Sequence, residues 1–191
     1  MEEYDGLSAF TLRLDDHGSV VRYMPTVDGI DPEVAIRALE RSLQSCRMQH
    51  ADCPPPDDTS SQSGRTQYVC CPPDRPMGWP GPRRWQRATW RLGGSDQIAP
   101  IVALRDAIET AASLEFHEQY NCVLVNSYAN GGSSIKWHSD DEKWYHVDGS
   151  NQNMIIGSLS LGASRWFELR SNRAVVTDVE QRRTIRISDI T

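Results

Sequence analysis

The sequence predicts an α+β fold, with two helices in its N-terminal part and a β-rich core after them. Two stretches carry apolar residues at helical spacing. From residue 120 onward, short segments of alternating polar and apolar residues follow one another, separated by turn-forming residues. Helices followed by many short strands are typical of a barrel or jelly roll. We therefore predict a β-barrel or jelly-roll core flanked by N-terminal helices.

The first fifty residues predict a hairpin and then a helix. The runs AFTLRL and SVVRYM flank an Asp-Asp-His-Gly turn and are typical of two short strands. Asp31 is a good N-cap, and Pro32 suits the first helical position. Apolar residues at helical spacing then continue to about Cys46 and predict a helix that packs in the core. They are Ile36, Leu39 and Leu43.

The middle of the chain predicts a loop and a second helix. The turn-rich run DCPPPDDTSSQSGR, at about residues 52–65, predicts a mobile surface loop or insertion. Residues 67–93 hold several aromatics but no clean periodicity. We expect the second helix at roughly Pro100 to Leu114. Its predicted apolar face consists of Ile101, Leu104, Ile108 and Ala111.

The run CVLVNSY predicts a strand with two different faces. A two-residue period places Leu124, Asn126 and Tyr128 on one face and the valines on the other. Polar groups on one face of an apolar strand suggest a ligand-lined cavity, and the alternative is a half-exposed edge strand. The glycines of Ala129-Asn130-Gly131-Gly132 predict a turn. Five more strands are predicted after it: SSIKWHSD, NMIIGSLSLG, SRWFELR, AVVT and RTIRISD.

Composition limits the class of protein. The 191 residues suffice for one domain, and no apolar run approaches the length of a membrane span. The acidic start, MEEYDGLSAF, does not resemble a targeting segment, so we expect the protein in the cytoplasm or nucleus. We also expect a monomer and no membrane partner. A net charge of −6 argues mildly against a nucleic-acid partner. The basic cluster at residues 83–91, with tryptophans interleaved, is either a solvated loop or a local phosphate-binding patch.

The five cysteines predict free thiols rather than a metal site. Their odd number and the expected intracellular location both argue against disulfides. Four of them and a histidine could be imagined as a zinc site, but no C-x-x-C pair is present. That imagined set is Cys46, His50, Cys53, Cys70 and Cys71.

His138 and Asp140 are candidate metal ligands. Because they lie two residues apart, an extended strand would direct both side chains the same way. An imidazole and a carboxylate on one face supply two of the three ligands of the 2-His-1-carboxylate triad that holds non-haem Fe(II). An H-x-D triplet alone is common by chance, so a surface pair is the alternative in isolation.

The surrounding fifty residues resemble the AlkB family of Fe(II)- and 2-oxoglutarate-dependent dioxygenases. The resemblance follows the order Leu-x-Asn-x-Tyr, a glycine-containing turn, His-Ser-Asp-Asp-Glu, and Ser-Leu-Ser-Leu-Gly-Ala-x-Arg-x-Phe-x-Leu-Arg. The spacing is closer to the eukaryotic repair members than to the bacterial founder. A weaker likeness is visible at Tyr23-Met24-Pro25 and at residues 82–89.

The resemblance implies a double-stranded β-helix core, of the jelly-roll or cupin-like type, with flanking N-terminal helices. It also implies roles for particular residues. His138 and Asp140 would ligate iron, Asn126 and Tyr128 would hydrogen-bond 2-oxoglutarate, and Leu124 would line that pocket. The residues expected near the substrate are Asp141, Glu142, Trp90 and Arg87. Arg165 also matches the family, in a role that stays open.

The implied activity is oxidative demethylation of N-alkylated bases in DNA or RNA. It would use Fe(II), 2-oxoglutarate and O2, and the hydroxylated N-methyl group would leave as formaldehyde. Such enzymes flip the target base out of the stack, because the reacting atom cannot be reached inside a duplex. We therefore expect alkylated nucleic acid as the partner.

Two departures from the family pattern affect these expectations. WRLGGSDQ replaces the usual aromatic lid segment, so Trp90 either stacks on a base or packs in the core. No match to the family's distal iron-binding histidine or its Arg-x-Asn-x-x-x-Arg segment occurs. We accordingly expect a single domain, 1–191, that is incomplete at its C-terminus and catalytically deficient. Its residues 1–119 would form an extension with lid and helices, and 120–191 the β-core with the iron motif.

Two other interpretations stay open. The chain could be a degenerate, non-catalytic family member that serves as a binding or interaction module. It could also be a dioxygenase that acts on RNA or on protein. The intact HSDDE sequence favours an enzyme, whereas the altered lid and the acidic charge keep other substrates possible.

Overall fold

The computed structural model describes ten stretches of the chain, and its architecture there is α+β, as the sequence predicts. The stretches are residues 2–4, 8–14, 20–49, 65–70, 90–114, 119–120, 122–135, 137–138, 155–170 and 184–190. They contain strands β1 (Glu2–Tyr4), β2 (Phe10–Arg13), β3 (Val20–Tyr23), β4 (Arg65–Cys70), β5 (Trp90–Leu92), β6 (Val123–Tyr128), β7 (Arg165–Arg170) and β8 (Thr184–Ile190). The helices are α1 (Pro32–Gln49) and α2 (Ser95–Ala112).

The chain forms two compact units. One comprises Met1–Glu33 together with Ser158–Thr191, and the other comprises Val34–Gly157. Each unit has its own sheet. The predicted boundaries, 1–119 and 120–191 within one domain, stay predictions.

Neither helix in the described stretches has the length and apolarity that a bilayer crossing requires.

The first unit contains a three-stranded sheet and a hairpin. Strand β8 lies between β1, which runs parallel to it, and β7, which runs antiparallel. Arg186 of β8 is in register with an acidic residue on each side and forms ion pairs with both Glu3 and Glu168. Strands β2 and β3 pair antiparallel, with the rings of Phe10 and Tyr23 stacked at 5.0 Å. The strands predicted from AFTLRL, SVVRYM, SRWFELR and RTIRISD are thus confirmed. The turn predicted between the first two lies outside the described residues.

The second unit packs its helices on a sheet of order β5-β4-β6. Strand β4 lies in the middle, parallel to β5 and antiparallel to β6. One face of this sheet and the two helices enclose the main apolar cluster. Its buried members are Leu43, Cys46, Tyr68, Cys70, Leu92 and Ile101. The helices thereby cover one face of the sheet and leave the opposite face uncovered by them.

Helix α1 begins where the sequence predicts and ends slightly later. The Oδ1 of Asp31 accepts a hydrogen bond from the backbone N–H of Glu33 at 2.9 Å, which confirms Asp31 as the N-cap. Leu43 and Cys46 are buried in the main cluster, and Leu39 packs against it. The helix continues to Gln49, three residues past the predicted Cys46.

Helix α2 begins at Ser95, so the prediction that it starts at Pro100 is wrong. The Oε1 of Gln97, within the first turn, accepts hydrogen bonds from the N–H groups of Gly93 and Gly94 at 3.3 and 3.4 Å. The Nε2 of Gln97 donates to Ser45 Oγ of α1 at 3.3 Å. N–H groups at the start of a helix have no partner within the helix and need such acceptors. Because Gln97 supplies them, the helix begins five residues before Pro100.

The buried face of α2 also differs from the predicted one. Its buried residues are Gln97, Ile101, Arg105 and Glu109. Leu104 and Ile108 are only half-buried. The carboxylate of Glu109 accepts a hydrogen bond from the N–H of Tyr120 at 2.6 Å, which explains a carboxylate on that face. Polar partners elsewhere in the chain, which apolar periodicity does not register, explain why Gln97 and Glu109 point inward.

Two predicted strands are not strands in the described residues. Residues 133–135, 137 and 138 of SSIKWHSD and residues 155–162 of NMIIGSLSLG have no ladder partner there. A segment of alternating polar and apolar residues forms a strand only where another strand can pair with it. A Cβ at Gly157 would lie 2.7 Å from the Tyr120 hydroxyl, so any other residue there would require the Tyr120 side chain to shift. The backbone there packs against a ring instead of a strand.

Some of the predicted features fall on residues outside the described stretches. They are the loop at 52–64, most of the basic cluster at 83–91, and the strand AVVT at 174–177. Arg65, the last residue of the predicted loop, begins β4.

Candidate functional site

Strands β4 and β6 together form a polar face that lies opposite the helices. Their antiparallel register pairs Arg65 with Tyr128, Gln67 with Asn126, and Val69 with Leu124. Directly paired residues in a sheet share a face, and residues two apart along a strand do as well. The six residues therefore lie on one side of the sheet. We call this side the polar face; it is formed by Arg65, Gln67, Val69, Leu124, Asn126 and Tyr128.

The prediction that Leu124, Asn126 and Tyr128 share a face is confirmed by this register. Val123 and Val125 pair with Cys70 and Tyr68 and pack against the apolar cluster on the helix side. Strand β6 therefore has one polar face and one apolar face, as its alternating sequence predicts.

A side-chain hydrogen bond fixes the centre of the polar face. The Nε2 of Gln67 donates to the Oδ1 of Asn126 at 3.0 Å. Since the amide oxygen of Asn126 is held by this donor, its NH2 group is directed elsewhere and carries two hydrogens for a ligand. Gln67 is 9% exposed, whereas Asn126 is exposed. The buried glutamine thus orients an amide that solvent or a ligand can reach.

Arg65 brings a positive charge to the same face. It is half-buried, and its Nε is a buried donor without a hydrogen-bond partner among the described residues. It is the only charged residue in the two strands, RTQYVC and VLVNSY. The polar face therefore carries a cation, two amides and a phenol, a set of groups that suits an anionic ligand.

The opposite side of β4 is apolar and anchored to α1. Tyr68 is fully buried, and its hydroxyl accepts a hydrogen bond from the Nε of Arg47 at 2.5 Å. Burial raises the pKa of the Tyr68 hydroxyl, and the hydrogen bond and charge of Arg47 offset part of that rise. Burial likewise raises the pKa of the Cys46 thiol, partly offset by Arg47. Both groups stay neutral at physiological pH and are part of the core, so they are unsuited to acid–base chemistry.

A tight turn leads from Tyr128 towards the candidate metal ligands. The N–H of Ser133 donates to the carbonyl of Asn130 at 3.1 Å, and the Asn130 Oδ1 accepts from the Gly132 N–H at 2.9 Å. The predicted turn is confirmed, but its cause is different. Neither Gly131 nor Gly132 has a positive φ, and the Asn130 side chain closes the turn.

His138 lies six residues beyond Gly132 of this turn, with an exposed side chain. Its imidazole belongs to the same compact unit as the polar face. Asp140, the other predicted iron ligand, lies outside the described residues. Within the part of the chain that is described, no three His, Cys, Asp or Glu side chains group as a metal site. Three members of the zinc site imagined from the cysteines, His50, Cys53 and Cys71, lie outside the described residues. The assignment of His138 and Asp140 to iron stays a prediction.

The predicted substrate residues also stay predictions. Asp141, Glu142 and Arg87 lie outside the described residues. The backbone of Trp90 pairs with Tyr68 in the β4–β5 ladder, while its side chain lies outside the described part. Arg165 begins β7 opposite Ile190, next to an irregularity in the ladder.

Sequence reasoning missed Arg65 and Gln67. A signal for their strand was present, because Thr66, Tyr68 and Val69 are types enriched in strands. Because side chains alternate along a strand, Arg65 and Gln67 lie on one face and the core residues lie on the other. The turn-rich run just before it led the prediction to end the loop at Arg65.

Comparison with known proteins identifies the relatives of this chain. Residues 21–189 match the family described as the 2OG-Fe(II) oxygenase superfamily. A protein of Bos taurus named alpha-ketoglutarate-dependent dioxygenase alkB homolog 3 is 45% identical over 70 residues, which cover 37% of this chain and 21% of the relative. The Homo sapiens protein of that name is 45% identical over 51 residues, covering 27% and 16%. The Mus musculus protein is 31% identical over 108 residues, covering 56% and 35%.

The matched parts thus span between 16% and 35% of the length of these curated relatives. No solved structure matches the chain.

Proposed function

The chain belongs to the 2OG-Fe(II) oxygenase superfamily, a family of dioxygenases that use Fe(II), 2-oxoglutarate and O2. We propose that its reaction is the oxidative demethylation of N-alkylated bases in nucleic acid. The observation that carries the proposal is the polar face of β4 and β6. It presents Asn126 and Tyr128, the two residues that the AlkB resemblance assigns to 2-oxoglutarate, side by side on the sheet face opposite the helices.

The donor types present suit the metal. An imidazole and a carboxylate are ligands of non-haem Fe(II), and His138 offers the first from an exposed position. In the proposal, Asp140 offers the second. When bound together with 2-oxoglutarate, iron supplies the activation of dioxygen. The chain's own contribution is to hold and orient these groups.

The polar face also suits the co-substrate. A dicarboxylate needs hydrogen-bond donors and a positive charge, and both are present there. The NH2 group of Asn126 is oriented by Gln67, and Tyr128 adds a hydroxyl. Leu124, half-buried on the same face, provides an apolar wall for the methylene groups of the co-substrate.

The proposed substrate is a methylated base in DNA or RNA. The likeness to proteins named alkB homolog 3 and the HSDDE sequence support this class. One oxygen atom of O2 would enter the N-methyl group, which leaves as formaldehyde, and the other would enter succinate as 2-oxoglutarate loses CO2. Asp141 and Glu142 are proposed to contact the base, and Arg87 and Trp90 to contact the strand around it.

We also propose that the strands of the protein belong to a jelly-roll core. The family match supports this arrangement, and the two-faced β6, with an apolar side and a ligand-binding side, is consistent with it. The domain division, with the β-core at residues 120–191, is part of the same proposal.

The proposal is tested by coupled product analysis. Purified protein is incubated with Fe(II), 2-oxoglutarate and either a methylated oligonucleotide or its unmethylated counterpart. We expect turnover to be slow, in keeping with the catalytic deficiency predicted from the sequence, and we expect succinate and formaldehyde to increase together only with the methylated strand. Succinate without formaldehyde, at equal rates with both strands, would contradict nucleic-acid demethylation and leave the oxygenase chemistry in place. Matched DNA and RNA oligonucleotides then distinguish the two nucleic acids.

A further inference from the structure

The Arg65 side chain is placed for a ligand that the described protein does not itself provide. Its Nε is buried and has no hydrogen-bond partner among the described residues. Buried polar groups are almost always hydrogen-bonded, so such a donor requires an explanation. An unpaired charged donor is especially unfavourable in a half-buried position, because water cannot fully solvate it.

The neighbours of Arg65 indicate what the missing partner is. Arg65 is paired across the ladder with Tyr128, and it lies two residues from Gln67, whose amide contacts Asn126. Paired residues on adjacent strands have Cβ atoms about 4.5–5.5 Å apart. The guanidinium is therefore within reach of a ligand held by the hydroxyl of Tyr128 and the amide of Asn126.

The chemistry of the group narrows the choice of partner. The Nε–H of arginine and the adjacent Nη–H form a planar fork that matches the two oxygens of a carboxylate. Neither strand carries an acidic residue that could occupy this fork. The other residues of the polar face are amides, a phenol and aliphatic groups, which suit a small, partly apolar dicarboxylate.

We propose that Arg65 binds a carboxylate of 2-oxoglutarate and so determines the affinity for the co-substrate. The AlkB resemblance gives Arg65 no role, and the assignment rests on the proposed function. A nucleic-acid phosphate is the competing oxyanion. It is disfavoured because the unpartnered Nε is shielded from solvent, whereas backbone phosphates stay at a solvent-exposed surface.

The test uses three variants of the full chain. Arg65→Met removes the charge and keeps the length of the side chain, and Arg65→Lys keeps the charge but lacks the fork. Arg41→Met is the matched control, because Arg41 is exposed on α1 of the same unit. The dissociation constant for 2-oxoglutarate is measured by calorimetry with Fe(II) under anaerobic conditions. Parallel titrations measure Fe(II) alone and a methylated oligonucleotide alone.

We expect Arg65→Met to weaken 2-oxoglutarate binding at least tenfold, and Arg65→Lys to weaken it less. Affinities for Fe(II) and for the oligonucleotide should stay unchanged, and Arg41→Met should behave as wild type. The melting temperature of Arg65→Met should stay equal or rise, because an unpaired buried donor is removed. A purely structural arginine would instead lower the melting temperature.

Three results would overturn the assignment. If wild-type protein binds 2-oxoglutarate and Arg65→Met binds it with the same affinity, only the assignment of Arg65 is overturned. Loss of oligonucleotide binding with unchanged 2-oxoglutarate binding would assign Arg65 to a phosphate. A wild-type protein that binds no 2-oxoglutarate in the presence of Fe(II) would overturn the proposed function as well.

Discussion

Gln67 on β4 donates a hydrogen bond to Asn126 on β6 across 59 residues of sequence, with 3.0 Å between the Nε2 and Oδ1 atoms. The donor is buried and the acceptor is exposed. A residue outside any recognisable motif thereby orients a residue that the AlkB resemblance assigns to the co-substrate. The polar face is consequently a product of the pairing of β4 with β6 and not of either strand alone.

The first prediction concerns this pair. Gln67→Ala should weaken 2-oxoglutarate binding about fivefold, since one orienting hydrogen bond is worth about 1 kcal/mol. Asn126→Ala should weaken it more, because it removes the group that contacts the ligand. Calorimetry with Fe(II) present measures both. Gln44→Ala, at an exposed position of α1, is the control and should bind as wild type. Equal affinity in Gln67→Ala and wild type would show that the hydrogen bond does not position Asn126.

A second prediction tests the apolar cluster between the helices and the sheet. Ile101 is 1% exposed in that cluster, whereas Ile156 is 56% exposed in the same compact unit. Ile101→Ala should lower the free energy of unfolding by about 2–5 kcal/mol through lost burial and a cavity. Ile156→Ala should change it by less than about 0.5 kcal/mol. Urea denaturation compares the two, and similar losses would place the core elsewhere.

The third prediction concerns the start of α2. Gln97 is 1% exposed and links the Gly93–Gly94 backbone to Ser45 of α1. Gln97→Ala removes the acceptor of the Gly93 and Gly94 N–H groups and the donor to Ser45, which should cost about 1–3 kcal/mol of stability. Gln44→Ala again serves as the control, since it removes the same side chain from an exposed helical position. If both variants had the same denaturation midpoint, Gln97 would have no role in joining the helices.

Stability at high pH supplies the fourth prediction. Burial raises the folded-state pKa of both Cys46 and Tyr68 above the unfolded values of 9.0 and 10.0. A group whose pKa is raised on folding binds more protons in the folded state, so its stabilisation is complete below the unfolded pKa and is lost as pH rises towards the folded one. The free energy of unfolding should therefore decrease from about pH 9 upward.

The variants Cys46→Ala and Tyr68→Phe isolate the two groups. Each removes one titrating group, so the decrease in stability between pH 9 and pH 11 should be shallower in each variant than in wild type. Urea denaturation at a series of pH values measures the slopes. Identical slopes in all three proteins would show that neither group titrates with a raised pKa.

The sequence predicted local features and missed the long-range ones. The two faces of β6 follow from strand geometry alone, so the sequence correctly predicts that Asn126 and Tyr128 share a face. Arg65 and Gln67 join them only through pairing with a distant strand, which alternation within one segment cannot reveal. The start of α2 was misplaced because Pro100 has the properties of a first helical residue. The true start depends on the amide of Gln97, which caps the helix and also contacts α1.

The central claim is that this chain holds iron through His138 and Asp140, and anaerobic Fe(II) titration tests it most directly. We expect wild-type protein to bind Fe(II) with 1:1 stoichiometry and modest affinity, as two proposed protein ligands would allow. His138→Ala and Asp140→Ala should each abolish this binding, whereas Asp141→Ala should retain it. Retained affinity in His138→Ala and Asp140→Ala, or an equal loss in all three variants, would contradict the account.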